Sequence, residues 1–267
     1  MNKLASIRGR LYPAIWLLLA LPLGLSIAAQ TKRGNAPIHK ALTPTEVPVP
    51  FQVGEKLSFR VLWSKYSVNA GKLAFAVVER RDFFGHPSWH FRASAQTVDT
   101  MRVIYPLDDQ LDSYADTRQL ASLQYEMYLH EQGKQVNNSW RFITDGSPAP
   151  VGVSAARVNP GARDPIALLY MLRAANWNTT PELRSPVFDG QHVYDVAAKL
   201  TSPADQVTIS NKSFPASKID LAVTDRGQEV SGMRFTLWLE HDAAHTPLLI
   251  EVELPIGSAR VELTSAP

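Results

Sequence analysis

From Phe51 onward the chain alternates apolar and polar residues with a period of two, the spacing of a strand with one buried face. In Glu55 to Trp63, the residues Leu57, Phe59, Val61 and Trp63 fall on one side and Lys56, Ser58 and Arg60 on the other. Leu73, Phe75 and Val77 alternate after a turn at Asn69-Ala70-Gly71, and Trp89, Phe91, Ala93 and Ala95 alternate after the turn Phe84-Gly85-His86-Pro87. The same reading predicts strands at Leu111 to Ala115, Leu123 to Leu129, Gln135 to Phe142, His192 to Leu200, Lys218 to Thr224, Met233 to Glu240, Leu248 to Leu254 and Ser258 to Thr264. Short connections favour antiparallel pairing. One segment breaks the period. Asp164 suits an N-cap, Pro165 the first helical position, and Ile166, Leu169 and Leu172, with Leu168, share one helical face before Arg173. The expected fold is mainly β: a single strongly bent antiparallel sheet or partly open barrel with one amphipathic helix of about three turns packed on it.

Upstream of Phe51 the pattern changes twice. Lys3, Arg8 and Arg10 precede an apolar run from Leu11 to Leu25 and the stretch Ser26-Ile27-Ala28-Ala29, the layout of a secretory signal peptide with cleavage after Ala28. The run is about 15 residues long, short of the ~20 that span a bilayer, and Pro13 and Pro22 interrupt it. No retained transmembrane helix is therefore expected. Residues 29–50 carry Pro37, Pro44, Pro48 and Pro50 with little apolar content and read as a flexible leader. Residues 51–267 are expected to form one β-rich exported domain.

Charge then changes meaning. The full chain has 27 basic and 25 acidic residues. Loss of the signal segment removes three basic residues and leaves a mature chain near neutrality, so no electrostatic case for nucleic acid remains. The absence of cysteine excludes both disulfides and a lipid-modified N-terminal Cys.

Motifs for chemistry are sparse. Neither G-x-S-x-G nor S-x-x-K occurs; Gly152-Val153-Ser154-Ala155-Ala156 lacks the second glycine, and His130-Glu131 is followed by Lys134 where a zinc protease needs its second His. His86 with His90 and His241 with His245 have four-residue spacing, but in turns and strand starts that spacing does not align two imidazoles. The acidic group Asp108, Asp109, Asp112 and Asp116 fits no calcium loop and reads as a solvated strand edge that discourages aggregation. No catalytic residue, metal site or cofactor is expected.

Some strands look apolar on both faces. Ala74, Ala76 and Val78 oppose Leu73, Phe75 and Val77, and Leu248, Leu249, Ile250 and Val252 interrupt the alternation. One face can then pack on neighbours while the other faces the helix or a pocket. Trp63, Phe75, Phe91, Leu169, Leu172, Arg173, Phe235 and Trp238 are the candidate ligand-lining residues, and Trp89 and Tyr125 belong to the same aromatic set. Arg173 either meets an anionic head group or complements the helix dipole, and the second reading is preferred.

Several of these stretches together resemble a known family, the bacterial exported proteins of domain-of-unknown-function family 3108. The resemblance is carried by Gly54-Glu55-Lys56-Leu57 leading to Trp63, Ala70-Gly71, the run Asp164 to Arg173, Val187-Phe188-Asp189-Gly190 before Tyr194, and Trp238 with Asp242 and Pro247. It spans Phe51 to the end and implies a periplasmic or cell-envelope location with no established reaction. By fold-level analogy the architecture is similar to lipoprotein-carrier half-barrels. The leading expectation is a non-catalytic envelope protein that binds an apolar or amphipathic small molecule or lipid between sheet and helix. The alternatives are a scaffold or assembly factor whose partner is another envelope protein, and an unrecognised hydrolase.

Overall fold

A computed structural model describes residues 45–63, 68–254 and 257–266. The expected signal peptide and residues 29–44 of the expected leader lie outside them. The strands, in chain order, are β1 (Lys56–Trp63), β2 (Val68–Phe83), β3 (His86–Thr97), β4 (Asp108–Asp116), β5 (Ser122–Glu131), β6 (Lys134–Ile143), β7 (Ser154–Arg157), β8 (Glu182–Phe188), β9 (Val193–Ile209), β10 (Lys212–Asp225), β11 (Gln228–Glu229), β12 (Arg234–Glu240), β13 (Pro247–Leu254) and β14 (Gly257–Ser265). The helices are α1 (Asp99–Ile104), between β3 and β4, and α2 (Pro165–Ala174), between β7 and β8.

All the strands belong to one sheet, ordered β7-β6-β5-β4-β3-β2-β1-β14-β13-β12-β10-β9-β8, with β11 added beside β10. Neighbours pair antiparallel except β6 with β7. The sheet is nearly closed into a barrel, with an unsealed seam between its β7 and β8 ends. Residues 162–164 bridge part of that seam: the Ala162 carbonyl accepts from Ser122 N–H, while Arg163 exchanges backbone bonds with Pro186 and Phe188. Side chains also meet across it, with Phe188 set edge-on against Trp140 and Phe142.

The predicted strands all form, several of them longer than the alternation indicated. Four elements had no clear pattern: α1, β7, β8 and the two-residue β11. The helix starts where predicted. The Asp164 carboxylate accepts from the N–H groups of Ile166 and Ala167, and Pro165 occupies the first turn, where its missing N–H costs nothing. Burial extends right round it, however. Ala167, Leu168, Tyr170 and Arg173 are buried along with Ile166, Leu169 and Leu172. The helix packs on the sheet as expected, but it buries more than the single apolar stripe.

The acidic stretch departs from its expected role. β4 lies between β3 and β5, not at an edge, and Asp109 and Asp112 are buried. Asp112 accepts from His90, Arg92 and Gln110; Asp116 accepts from the backbone of Arg118, Gln119 and Ala121; Asp108 pairs with Arg102. These charges fix a strand and its turns.

Candidate functional site

The inner face of the barrel is the face that meets α2. Phe91 on β3 stacks on Tyr170 of α2 at 3.9 Å, and Phe51 wedges edge-on against Trp89, Phe91 and Tyr170. Around these rings the core is closed: Leu57, Phe59, Val77, Phe91 and Ile166 are at most 1% exposed. Such contact leaves no room for a ligand between sheet and helix at that point. Phe75, Leu169 and Leu172 belong to this packed region.

Two polar anchors hold the ends of α2. At its start, Asp164 is fully buried and also accepts 2.6 Å bonds from Ser113 on β4 and Ser122 on β5. Burial pushes this carboxyl up, against the four donors that favour its charged form. At its other end Arg173 is fully buried and makes a bidentate pair with Glu55, at 2.6 and 2.9 Å. The same guanidinium donates to the carbonyls of Ala244 and His245, and the His245 ring Nδ1 bonds the Arg173 carbonyl at 2.7 Å. Arg173 is therefore committed within the protein and presents no head-group site. Its partners also exceed what a helix dipole alone would provide.

Away from α2 the inner wall mixes buried residues, among them Trp63, Ala259, Val252 and Ala198, with half-buried ones. Strand register places Val68, Trp63, Ala259, Val252, Phe235, Leu221, Ala198 and Leu183 in one continuous row on this face, across eight adjacent strands. Val68, Phe235, Leu221 and Leu183 are only half-buried. On the opposite wall Leu129 is half-buried and its cross-strand partner Val136 is 47% exposed. Asp109, level with Ala95 on this face, is buried and accepts the His130 N–H at 2.8 Å. Burial raises its carboxyl to about 7; the His130 bond opposes the rise, and the nearby Glu131 and Asp108 add to it. α1 stands at this end, its backbone tied to β2 through Val98 N–H and the Ala70 carbonyl, with Val103 and Ile104 exposed.

Trp238 lies elsewhere. The β9–β10 hairpin runs past the barrel and folds over its outer face, where Val207, Ile209 and Ala216 pack on Trp238, Leu248 and Leu249 as a second core. Trp238 Nε1 donates to Asp205 at 3.0 Å, and Arg60 on β1 reaches Ser210 at the hairpin tip. This explains why β13 looked apolar on both faces: its second face is covered by the hairpin, not by a ligand.

Polar groups gather outside the barrel too. His90 and Asp112 are buried and bonded at 2.6 Å beneath Tyr114, which stacks on His90 at 4.5 Å. The other ring nitrogen faces Glu79 at 3.5 Å, where a catalytic dyad would need a hydroxyl. His86, its partner in the four-residue spacing, is exposed. His241 bonds Ser217, far from the role of His245. Among the described residues no group of three or more acidic or His side chains could hold a metal ion. A cleft of about 490 Å³ lies beside Phe84, Arg141 and the loop after β6, and one of about 620 Å³ on the outer face of β8 to β13 is lined by charges of both signs, including Lys199, Asp220 and Glu251. No helix among the described residues is long and apolar enough to cross a membrane.

The profile of the family described as protein of unknown function (DUF3108) matches residues 58–264. The chain belongs to the DUF3108 family. No curated protein matches it significantly. Among solved structures it is similar to a beta-barrel-like protein of domain of unknown function DUF1849 from Brucella abortus, with a TM-score of 0.54 and 11% identity over 80% of this chain and 97% of that one. That likeness concerns the fold. Weaker similarities are to a candidate lipoprotein of Parabacteroides distasonis (TM-score 0.37, 9% identity, 84% and 100% coverage) and a candidate exported protein with a YmcC-like fold from Bacteroides fragilis (0.34, 9%, 84% and 100%).

In this DUF3108 protein three of the stretches that carried the resemblance meet in space. Glu55 of the first, Arg173 of the helical run and the turn between Asp242 and Pro247 form one buried node, although Glu55 and Arg173 are 118 residues apart. Asp189 of the fourth stretch turns the chain into β9 by accepting from Gln191 and His192 N–H. These motif residues build the barrel and seat its plug. None of them forms a reactive cluster.

Proposed function

We propose that this protein is an exported, non-catalytic component of the cell envelope that holds an apolar or amphipathic ligand inside its barrel, at the end away from α2. The supporting observation is a difference along the inner wall: sealed packing around the helix, and beyond it a row in which half-buried Val68, Leu183, Leu221 and Phe235 lie beside buried Trp63, Ala259, Val252 and Ala198. A soluble domain without an occupant gains by burying such side chains fully, at ~25 cal/mol per Å². Export is supported by the N-terminal basic and apolar layout.

Native mass spectrometry of the full chain, expressed with its leader and purified from periplasm without detergent, tests this reading. A lipid-sized adduct that disappears on solvent extraction, together with enhanced N-phenylnaphthylamine fluorescence in the extracted protein, is the expected result. No adduct and no dye uptake would refute it. A second reading, as an assembly factor, has one observation of its own. β7 is the sheet edge, with Ser154, Ala155 and Arg157 exposed and β6 as its strand partner, an edge open to strand addition. Co-purification of a stoichiometric envelope protein in place of lipid would favour it.

A further inference from the structure

The interior contains a hydrogen-bond donor without an acceptor. Trp63 is 7% exposed, on the inner face at the end away from α2, and its Nε1–H has no partner among the described residues. An indole N–H only donates and, fixed in the ring plane, cannot rotate toward another acceptor. Leaving it unpaired in an apolar wall forfeits the bond it makes with water in the unfolded chain. The other orphaned inner hydroxyls, on Tyr125 and Tyr170, sit on the packed side against α2 and belong to the closed core. Trp63 instead shares its row with the small Ala259 on one side and the half-buried Val68 on the other.

We propose that Trp63 Nε1–H is the polar contact of the interior site, and that it selects an acyl chain bearing a neutral carbonyl, an ester or amide, over a bare hydrocarbon or a free fatty acid. This deepens the ligand-binding reading and rests on it. The apolar row supplies the chain's surroundings, and the indole supplies one donor for one acceptor. A charged carboxylate is disfavoured because the same inner wall carries the buried Asp109 and, among the candidate lining residues, the cation Arg173 is already spent on Glu55. Nothing in the row would balance a second negative charge.

Three probes of equal chain length decide it: methyl laurate, dodecane and laurate at pH 8, titrated into ¹⁵N-labelled, solvent-extracted full-length protein. The Trp63 indole ¹⁵N–¹H resonance, assigned through bonds in the wild type, is expected to move downfield and saturate with methyl laurate and to shift little with dodecane. Laurate should bind most weakly. Trp63→Phe keeps an aromatic ring, smaller than the indole, and removes the donor, so ester affinity should fall several-fold to about tenfold while dodecane affinity changes little. An ester that binds without moving the Trp63 resonance, or equally to Trp63→Phe, overturns this proposal and leaves the ligand-binding reading standing. Failure of all three probes to bind the wild type overturns both.

Discussion

The Glu55–Arg173 pair permits a quantitative test of how this barrel is held together. The Arg173 side chain is 0% exposed and that of Glu55 7%, so neither charge is solvated by bulk water. Each is instead satisfied locally: the guanidinium by two carboxylate oxygens and the carbonyls of Ala244 and His245, the carboxylate by the guanidinium. Glu55→Gln removes the negative charge while keeping shape, leaving a buried cation with weaker acceptors. Breaking a buried pair in this way costs about 3–5 kcal/mol, and the retained amide oxygen places the loss near the lower end. With a urea m-value of about 3 kcal/mol/M, the unfolding midpoint should drop by about 1 M. Arg173→Met should lose as much or more, because it also strands the two carbonyls. In the double variant Glu55→Gln, Arg173→Met, the lone charge is gone, and the total loss should fall short of the sum of the single losses by at least about 2 kcal/mol. Equilibrium urea unfolding followed by Trp fluorescence measures all three. A midpoint shift below about 0.3 M for Glu55→Gln, or strict additivity in the double variant, would refute the view that this node fastens strand, helix and turn to one another.

Two further outcomes follow from the inner wall and the seam. Burial raises the Asp109 carboxyl to about 7, above its ordinary value, so the folded chain holds a proton that the unfolded chain has released. Its contribution to stability is complete below about pH 4 and is lost as pH rises through about 7; Asp109→Asn should flatten this decline between urea midpoints measured at pH 5 and pH 8. Gly190 sits at φ +106°, and a Cβ there would meet Met127 Sδ at 3.0 Å and Trp140 at 3.2 Å. Gly190→Ala should therefore lower stability by about 1–3 kcal/mol, read as a fall in the thermal midpoint, with Met127→Ala in the same chain relieving the contact but not the backbone strain.

Alternation made most strands legible because each paired residue of a barrel wall has one wet and one dry side; Leu57, Phe59, Val61 and Trp63 are the plainest case. β8 was missed because Glu182, Arg184 and Pro186 dilute its buried Ser185 and Val187, and a seam strand needs fewer apolar residues. β9 and β10 were cut short at Leu200 and Lys218 because the hairpin beyond them buries its apolar residues against the outer face, through register shifts near Ala216 and Lys218. A two-residue period says which residues share a side but not which side is the lumen. Trp63 and Trp238 were therefore indistinguishable in sequence, although one lies inside and the other outside. The pairing of Glu55 with Arg173 left no local trace, since only the closed barrel brings residues so far apart in the chain together.

The register also carries a consequence for biosynthesis. β1 pairs with β14, and Arg60 bonds Glu262 across 202 residues. Until β14 emerges, β1 lacks its neighbour on one side and the ring cannot form. A nascent chain of this design stays loose until its last strand is in place.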